Sequence, residues 1–264
     1  MMNILNKIVE KRRDSLQKTI DTIPLCEIKA RAFAMNRAVN SLKDRLLLRD
    51  TAGIISEFKR ASPSRGDINI YADVKTVTKG YVNAGASALS VLTEPEFFKG
   101  DIKDLTLARE ENPSIPILRK DFIVDPYQVY ETKAMGADVM LLIAACLDKN
   151  ALKNLNSIAK SLSMEVIFEI HEESELDKLP DSDVIVGVNN RNLKTMEVDI
   201  EKSMTIASAL NKHFVLIAES GLTGADEIRT LKKVGYKGFL MGESFMKAKE
   251  PHKELEKLIQ GLVN

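Results

Sequence analysis

Cysteine is scarce in this chain, and the two present, Cys26 and Cys146, lie far apart. Neither belongs to a CxxC or a Cys/His cluster, which argues against a disulfide framework and for a reduced, cytoplasmic setting. Histidine is equally thin. His171, His213 and His252 are scattered, so no ligand set of metal-binding spacing exists and no metal is expected. Net charge is missing as well: lysine plus arginine number 38 and aspartate plus glutamate 38, which removes the global field of a nucleic-acid or membrane-surface binder. An anionic ligand must then be captured by local design. No apolar run approaches ~20 residues, and the opening MMNILNKIVEKRRDSLQ has no continuous apolar region, so neither a spanning helix nor a signal peptide is expected.

What is present is a core-sized apolar fraction, 44% of 264 residues, laid out in a repeating pattern. Residues 1–48 read as helical, on the spacing of Ile4, Ile8 and Leu16 and then of Ile28, Ala32 and Leu42. From Thr51 onward short apolar strands alternate with amphipathic helices. The strands are expected at 54–58, 88–92, 115–118, 139–143, 166–170, 184–188, 214–218 and 238–241, each with a helix after it, including a short one at 172–179. Eight such units fit a closed (β/α)8 barrel of ~250 residues, with residues 1–264 as one domain and 1–48 as its helical extension. An open doubly wound sheet is the alternative. It would carry a glycine-rich turn after the first strand, where this chain has KRASPSRGD and no GxGxxG.

Alternation along the strands sorts the charges. In PILRKDFIVDP, Leu118, Lys120 and Phe122 share one side while Ile117, Arg119 and Asp121 take the other. By the same rule Glu57 and Lys59 share a face with Ile55, Glu169 with Ile167, Asn189 with Arg191, and Glu219 with Val215 and Ile217. Two lysines and three glutamates therefore arrive at the carboxyl-terminal rim on the inward parity, where barrels carry out chemistry. Glu–Lys pairs that merely neutralise each other are the plain alternative, but each buried ion carries a desolvation penalty of several kcal/mol, which makes acid–base machinery the stronger reading. Strands seven and eight end in AESGL and MGESF, so Ser220, Gly221, Gly242 and Glu243 are candidates for a phosphate site, the Glu243 side chain turned away. The small polar stretch Ser62 to Gly66 reads either as a hinge-like loop closing over a ligand or as an ordinary turn, and Ser62 can donate a hydroxyl. Phe98, Phe122, Leu141, Leu193 and Met196 offer apolar surface suited to a flat ring, with core packing the default for Leu141.

EFKRASPSRG, LSVLTEPEFFKG, PILRKDFIVDPYQVYETKAMGAD, VGVNNRNLKTMEVD, IAESGL and MGESFMKA together resemble indole-3-glycerol phosphate synthase of tryptophan biosynthesis, in order and along the whole chain. The resemblance implies a (β/α)8 barrel that converts 1-(2-carboxyphenylamino)-1-deoxyribulose 5-phosphate to indole-3-glycerol phosphate, carbon dioxide and water, without metal or organic cofactor. It makes Lys120 the general acid on the substrate carbonyl and Glu169 its counterpart in dehydration, with Lys59 pairing a substrate anion or giving the second proton. Glu57, Asn189 and Glu219 position these groups, while Ser220, Gly221, Gly242 and Glu243 hold phosphate and Arg191 and Ser62 bind at the rim. Members can carry another basic residue where this chain has Ala61, a place for which Arg60 or Arg65 can substitute. The expected partner is a small phosphorylated substrate, not nucleic acid or membrane. The chain is expected to be a cytoplasmic monomer able to associate with enzymes of the same pathway. Two other readings compete: a phosphoribosyl isomerase, which leaves the first- and third-strand lysines unexplained, and a barrel kept only as an assembly subunit, which should have lost its rim charges.

Overall fold

A computed structural model describes residues 4–181, 184–192, 197–210 and 213–263. The eight apolar segments form β1 (Ile54–Phe58), β2 (Ala88–Leu92), β3 (Ile117–Lys120), β4 (Val139–Ile143), β5 (Glu165–Ile170), β6 (Ile185–Asn189), β7 (Val215–Glu219) and β8 (Tyr236–Met241). Each pairs in parallel with its sequence neighbours, and β8 pairs with β1, closing the barrel. The open-sheet alternative is thereby excluded. β3 starts two residues later than its apolar run suggests and continues through Lys120. Pro116 has no N–H for the ladder, although its carbonyl still accepts from Leu89 N at 3.0 Å.

The helices are α1 (Ile4–Thr22), α2 (Leu25–Ala34), α3 (Leu42–Leu47), α4 (Val74–Asn83), α5 (Pro95–Phe98), α6 (Ile102–Glu111), α7 (Pro126–Ala134), α8 (Lys149–Ser161), α9 (Glu201–Ala209), α10 (Ala225–Lys233), α11 (Glu243–Met246) and α12 (Pro251–Val263). The short helix expected at 172–179 is a 3-10 turn, Glu173–Lys178. Ser62 to Gly66 belongs to a tight antiparallel hairpin, Ala61–Ser62 against Gly66–Asp67, which favours the turn reading of that stretch. No helix among the described residues is long and apolar enough to cross a membrane.

Strand parity divides the core in two. Ile55, Leu118, Leu141, Ile167, Ile185 and Ile217 fill the barrel interior, while Phe58, Val91, Ile117, Phe168, Val186 and Phe239 face the helices. The N-terminal extension reaches both ends of this barrel. Glu165, at the amino end of β5, accepts from Ser41 Oγ and Leu42 N, each at 2.6 Å, so α3 is pinned beneath the barrel. Leu42 and Leu46 then close its floor, packed into the interior cluster. α2 runs along α7, where Leu16, Ile28 and Tyr127 share a small core and Tyr127 Oη donates to Ile23 O at 3.0 Å. α1 crosses the opposite end. Its buried stripe of Leu5, Ile8, Arg12 and Leu16 has helical spacing, and Ile4, Leu5 and Ile8 stand over the barrel mouth.

Candidate active site

The carboxyl-terminal mouth holds a pocket whose floor is charged and whose walls are of two kinds. Lys120, last residue of β3, donates from Nζ to the Glu219 carboxylate on β7 and to Glu169 Oε2 on β5, the latter at 3.1 Å. Asn189 Nδ2, at the end of β6, donates to Glu169 Oε1 at 3.1 Å, and its own Oδ1 accepts from Arg191 N at 3.0 Å. Across the floor Lys59 Nζ donates to Glu57 Oε1 at 2.7 Å. Two glycines make room for these acids: a Cβ at Gly187 would collide with the Glu219 carboxylate, and one at Gly242 would sit 2.7 Å from Glu57 Cβ.

Burial disfavours the charged forms of Lys120, Glu169 and Glu219, and the pairing decides which of them keep their charge. For Lys120, burial is outweighed by Glu219, Glu169 and Glu57, so its ammonium is held more firmly than usual. Glu169 is likewise penalised by burial, but Lys120 and His171 outweigh that and keep it an anion. Glu219 goes the other way: burial, reinforced by the Glu169 charge, pushes its carboxyl above the usual range despite Lys120. Glu219 Oε1 has no hydrogen-bond partner among the described residues. One ammonium thus faces a firm carboxylate and a second carboxyl poised to carry a proton.

The apolar wall is built by Phe98 and Phe122, with ring centroids 6.1 Å apart, together with Leu141, Ile143, Leu240 and the residues of α1. The facing wall is polar and consists of Ser62, Ser64, Ser220, Gly221, Gly242, Glu243 and Ser244. Ser220 and Gly221 both take positive φ, 66° and 76°, which turns the chain sharply at the end of β7. The Glu243 carboxylate is drawn outward by Arg65 Nε at 2.8 Å and Lys247 Nζ at 2.6 Å, with an Arg191 nitrogen 4.0 Å away.

All six expected floor residues, Lys120, Glu169, Lys59, Glu57, Asn189 and Glu219, line this one pocket, as do Ser62, Phe98, Phe122, Leu141, Arg191, Ser220, Gly221, Gly242 and Glu243. Leu193 and Met196 lie outside the described residues. Of the two arginines offered for the place of Ala61, only Arg65 is at the rim. Arg60 lies over the Phe58 ring at 4.8 Å and pairs with Asp104, its Nη2 2.9 Å from Oδ1, on the helix side of the barrel. Sequence reasoning missed Ile4, Leu5 and Ile8, whose docking site no local pattern announces. It also missed His171, whose Nε2 lies 3.2 Å from Glu169 Oε1. A signal existed for that residue, because His171 continues the inward parity of Ile167 and Glu169. Among the described residues no group of three or more His, Cys, Asp or Glu is arranged to hold a metal ion.

Known proteins resemble this chain in sequence and in fold. The family model for indole-3-glycerol phosphate synthase matches residues 5–258. The indole-3-glycerol phosphate synthase of Bacteroides thetaiotaomicron is 39% identical over 99% of this chain and 100% of its own length. That of Campylobacter fetus is 41% identical over 92% and 94% respectively. Among solved structures, 3-hexulose-6-phosphate synthase from Salmonella typhimurium superposes with a TM-score of 0.65 at 13% identity, covering 80% of this chain and 98% of that one, a likeness of fold alone. The model match runs nearly end to end and the relatives align along almost their full length, so the chain belongs to the indole-3-glycerol phosphate synthase family.

Proposed function

We propose that this pocket converts 1-(2-carboxyphenylamino)-1-deoxyribulose 5-phosphate to indole-3-glycerol phosphate, with loss of carbon dioxide and water, and that its chemistry is divided among the floor residues. The observation carrying this reading is the Lys120 ammonium held between Glu169 and Glu219, opposite a second Lys–Glu pair. Ring closure requires the ketone to be polarised while the ring carbon that bears the carboxylate attacks it. Lys120 supplies that proton. Loss of carbon dioxide returns the electron pair to the ring, after which the new hydroxyl must leave as water and a neighbouring carbon must lose a proton. Glu169 takes the carbon proton, and Lys59 pairs with a substrate anion and supplies the proton that water carries off.

Binding both ends of the substrate bends it toward attack, the positional share of catalysis. Ser220, Gly221, Gly242 and Glu243 hold the phosphate through the polar wall, the Glu243 carboxylate being occupied by Arg65 and Lys247. Phe98, Phe122 and Leu141 receive the aromatic ring; Ser62 and Arg191 bind at the rim. Glu57, Asn189 and Glu219 orient the lysines and Glu169. We further propose that residues 1–264 act as one domain, a monomer in the cytoplasm, able to associate with other enzymes of tryptophan biosynthesis. The test is direct: purified chain and the anilino-ribulose phosphate, without added metal, should generate indole absorbance and fluorescence. A substrate left unchanged would overturn the proposal.

A further inference from the structure

The phosphate wall proposed above depends on the direction of one peptide unit. Ser220 is a non-glycine residue at φ 66°, in the left-handed region that L side chains disfavour, and Gly221 follows it at φ 76°. No peptide bond among the described residues is cis, and in a trans peptide the carbonyl and the N–H point in opposite directions. Glycine tolerates either sign of φ, so rotating the peptide between Ser220 and Gly221 would exchange the Gly221 N–H for the Ser220 carbonyl on the pocket side. An N–H there attracts phosphate, and a carbonyl repels it.

Asn190 sets that direction. It follows Asn189 at the end of β6, on the outward parity of Val186 and Val188, and it is fully buried, while Asn189 and Arg191 on either side of it line the pocket. Its Nδ2 donates to Ser220 O at 3.1 Å. A carbonyl can only accept, so the amide must present its NH2 group here, and Oδ1 is left to accept from Ser203 Oγ of α9 at 2.6 Å. Turning the amide over would set Oδ1 against Ser220 O, two acceptors face to face. Ser203 is fully buried as well, and its carbonyl accepts from Tyr236 Oη of β8 at 2.8 Å. The main chain of Asn190 is held at both ends: its N–H donates to Glu219 O at 2.9 Å, and its carbonyl accepts from Asp199 N at 3.0 Å. A buried polar chain, Tyr236–Ser203–Asn190–Ser220, thus runs along the helix side of the barrel from β8 through α9 and the end of β6 to the end of β7.

We propose that Asn190 is a positioning residue for the substrate phosphate: by drawing the Ser220 carbonyl away from the pocket, it aims the Gly221 N–H into it. Asn190 touches no substrate and acts through the Ser220–Gly221 peptide. The clamp also couples two parts of the site. Asn189, which donates to Glu169 Oε1, and Asn190, which holds Ser220, are consecutive, so one strand end steadies the proposed base and sets the phosphate turn on the next strand.

The clamp rests on the proposed phosphate wall, and the test separates the two. KM and kcat for the anilino-ribulose phosphate, and the inhibition constant of inorganic phosphate against it, are measured on the full native chain and on Asn190→Leu and Ser203→Ala, with thermal unfolding recorded for each. Asn190→Leu is neutral and of similar volume, so it removes the clamp without bringing charge to the site. KM and the phosphate inhibition constant should both rise by about 10-fold to 100-fold, the worth of one hydrogen bond to a charged group, while kcat of the folded protein stays within about 3-fold. Ser203→Ala only unsettles the amide and should shift both constants the same way by about 2-fold to 10-fold. A merely structural role would lower the folded fraction and leave both constants native, and that result in a folded Asn190→Leu overturns the clamp while the phosphate wall stands. If Asn190→Leu does not fold, native constants in Ser203→Ala overturn it equally. A fall in kcat with both constants native does so too. Inorganic phosphate that does not compete with substrate on the native chain removes the phosphate wall and the clamp with it.

Discussion

Two buried charge clusters sit back to back on β3, separated only by the alternation of its side chains. The inner one gathers Lys120 and Lys59 with Glu57, Glu169 and Glu219, two lysines to three carboxyls, with His171 Nε2 3.2 Å from Glu169 Oε1. The outer one gathers Arg119 and Arg12 with Asp121 and Glu131, two to two. In the outer cluster the donors are matched: Arg119 reaches Asp121 at 2.9 Å, Glu131 at 2.6 Å and Thr132 Oγ1 at 3.0 Å, while Arg12 binds both oxygens of Asp121 at 3.0 and 2.8 Å. Burial would raise Asp121, yet Arg119 and Arg12 outweigh it and hold the carboxyl low. In the inner cluster burial, reinforced by the Glu169 and Glu57 charges, leaves Glu219 raised, and its Oε1 has no hydrogen-bond partner among the described residues. A balanced network fixes one arrangement and fastens α1 to the barrel through Arg12. An unbalanced one keeps a proton mobile, which is what acid–base chemistry needs.

The sharpest way to break this contrast is to perturb each side and ask which property fails. Glu169→Gln should cut turnover by about 10²- to 10⁴-fold, the usual worth of a positioned base, with substrate still bound; steady-state kinetics and a binding titration check it. Arg119→Met should instead lower the unfolding free energy by about 3–5 kcal/mol, because it leaves Glu131 and Asp121 buried with only Arg12 to neutralise both. Denaturant unfolding measures that loss, and the kcat of the folded fraction should fall far less than in Glu169→Gln.

The two clusters should also respond oppositely to pH. Asp121 has a lowered folded pKa, so its stabilisation is complete above its unfolded value near 3.8 and is lost as pH falls through the lower folded value. Glu219 has a raised one, so its contribution is complete below 4.5 and is lost as pH climbs through the raised value. Asp121→Asn should therefore flatten the acid limb of the stability profile, and Glu219→Gln the limb that descends with rising pH, both read by thermal unfolding across pH. The smallest effect is expected at the rim. Arg65 is largely exposed, so Arg65→Ala should change stability by about 0–1 kcal/mol, and by leaving the Glu243 carboxylate to Lys247 alone it should raise KM for the phosphorylated substrate modestly.

How much of this was legible in the sequence follows from what each feature depends on. The inner cluster was readable because period-2 alternation within five or six residues decides which way Glu57, Lys120, Glu169 and Glu219 point. The outer cluster was not, although Arg119 and Asp121 were assigned to the correct side, because its completion needs Arg12, 109 residues away in sequence. The extension showed its helical stripes but not where they dock. Leu42 and Leu46 close the floor while Leu5 and Ile8 border the mouth, and both stripes read alike as helix faces. His171 was within reach of the same parity rule that found Glu169; it was passed over because a lone histidine carries no motif.

The central claim is that Lys120, held among surplus carboxyls, is the acid that drives ring closure, and the direct measurement is indole-3-glycerol phosphate formation by Lys120→Ala. On this account turnover falls by about 10³-fold or more while circular dichroism and cooperative unfolding still report a folded barrel. Near-native product formation by that variant would contradict it.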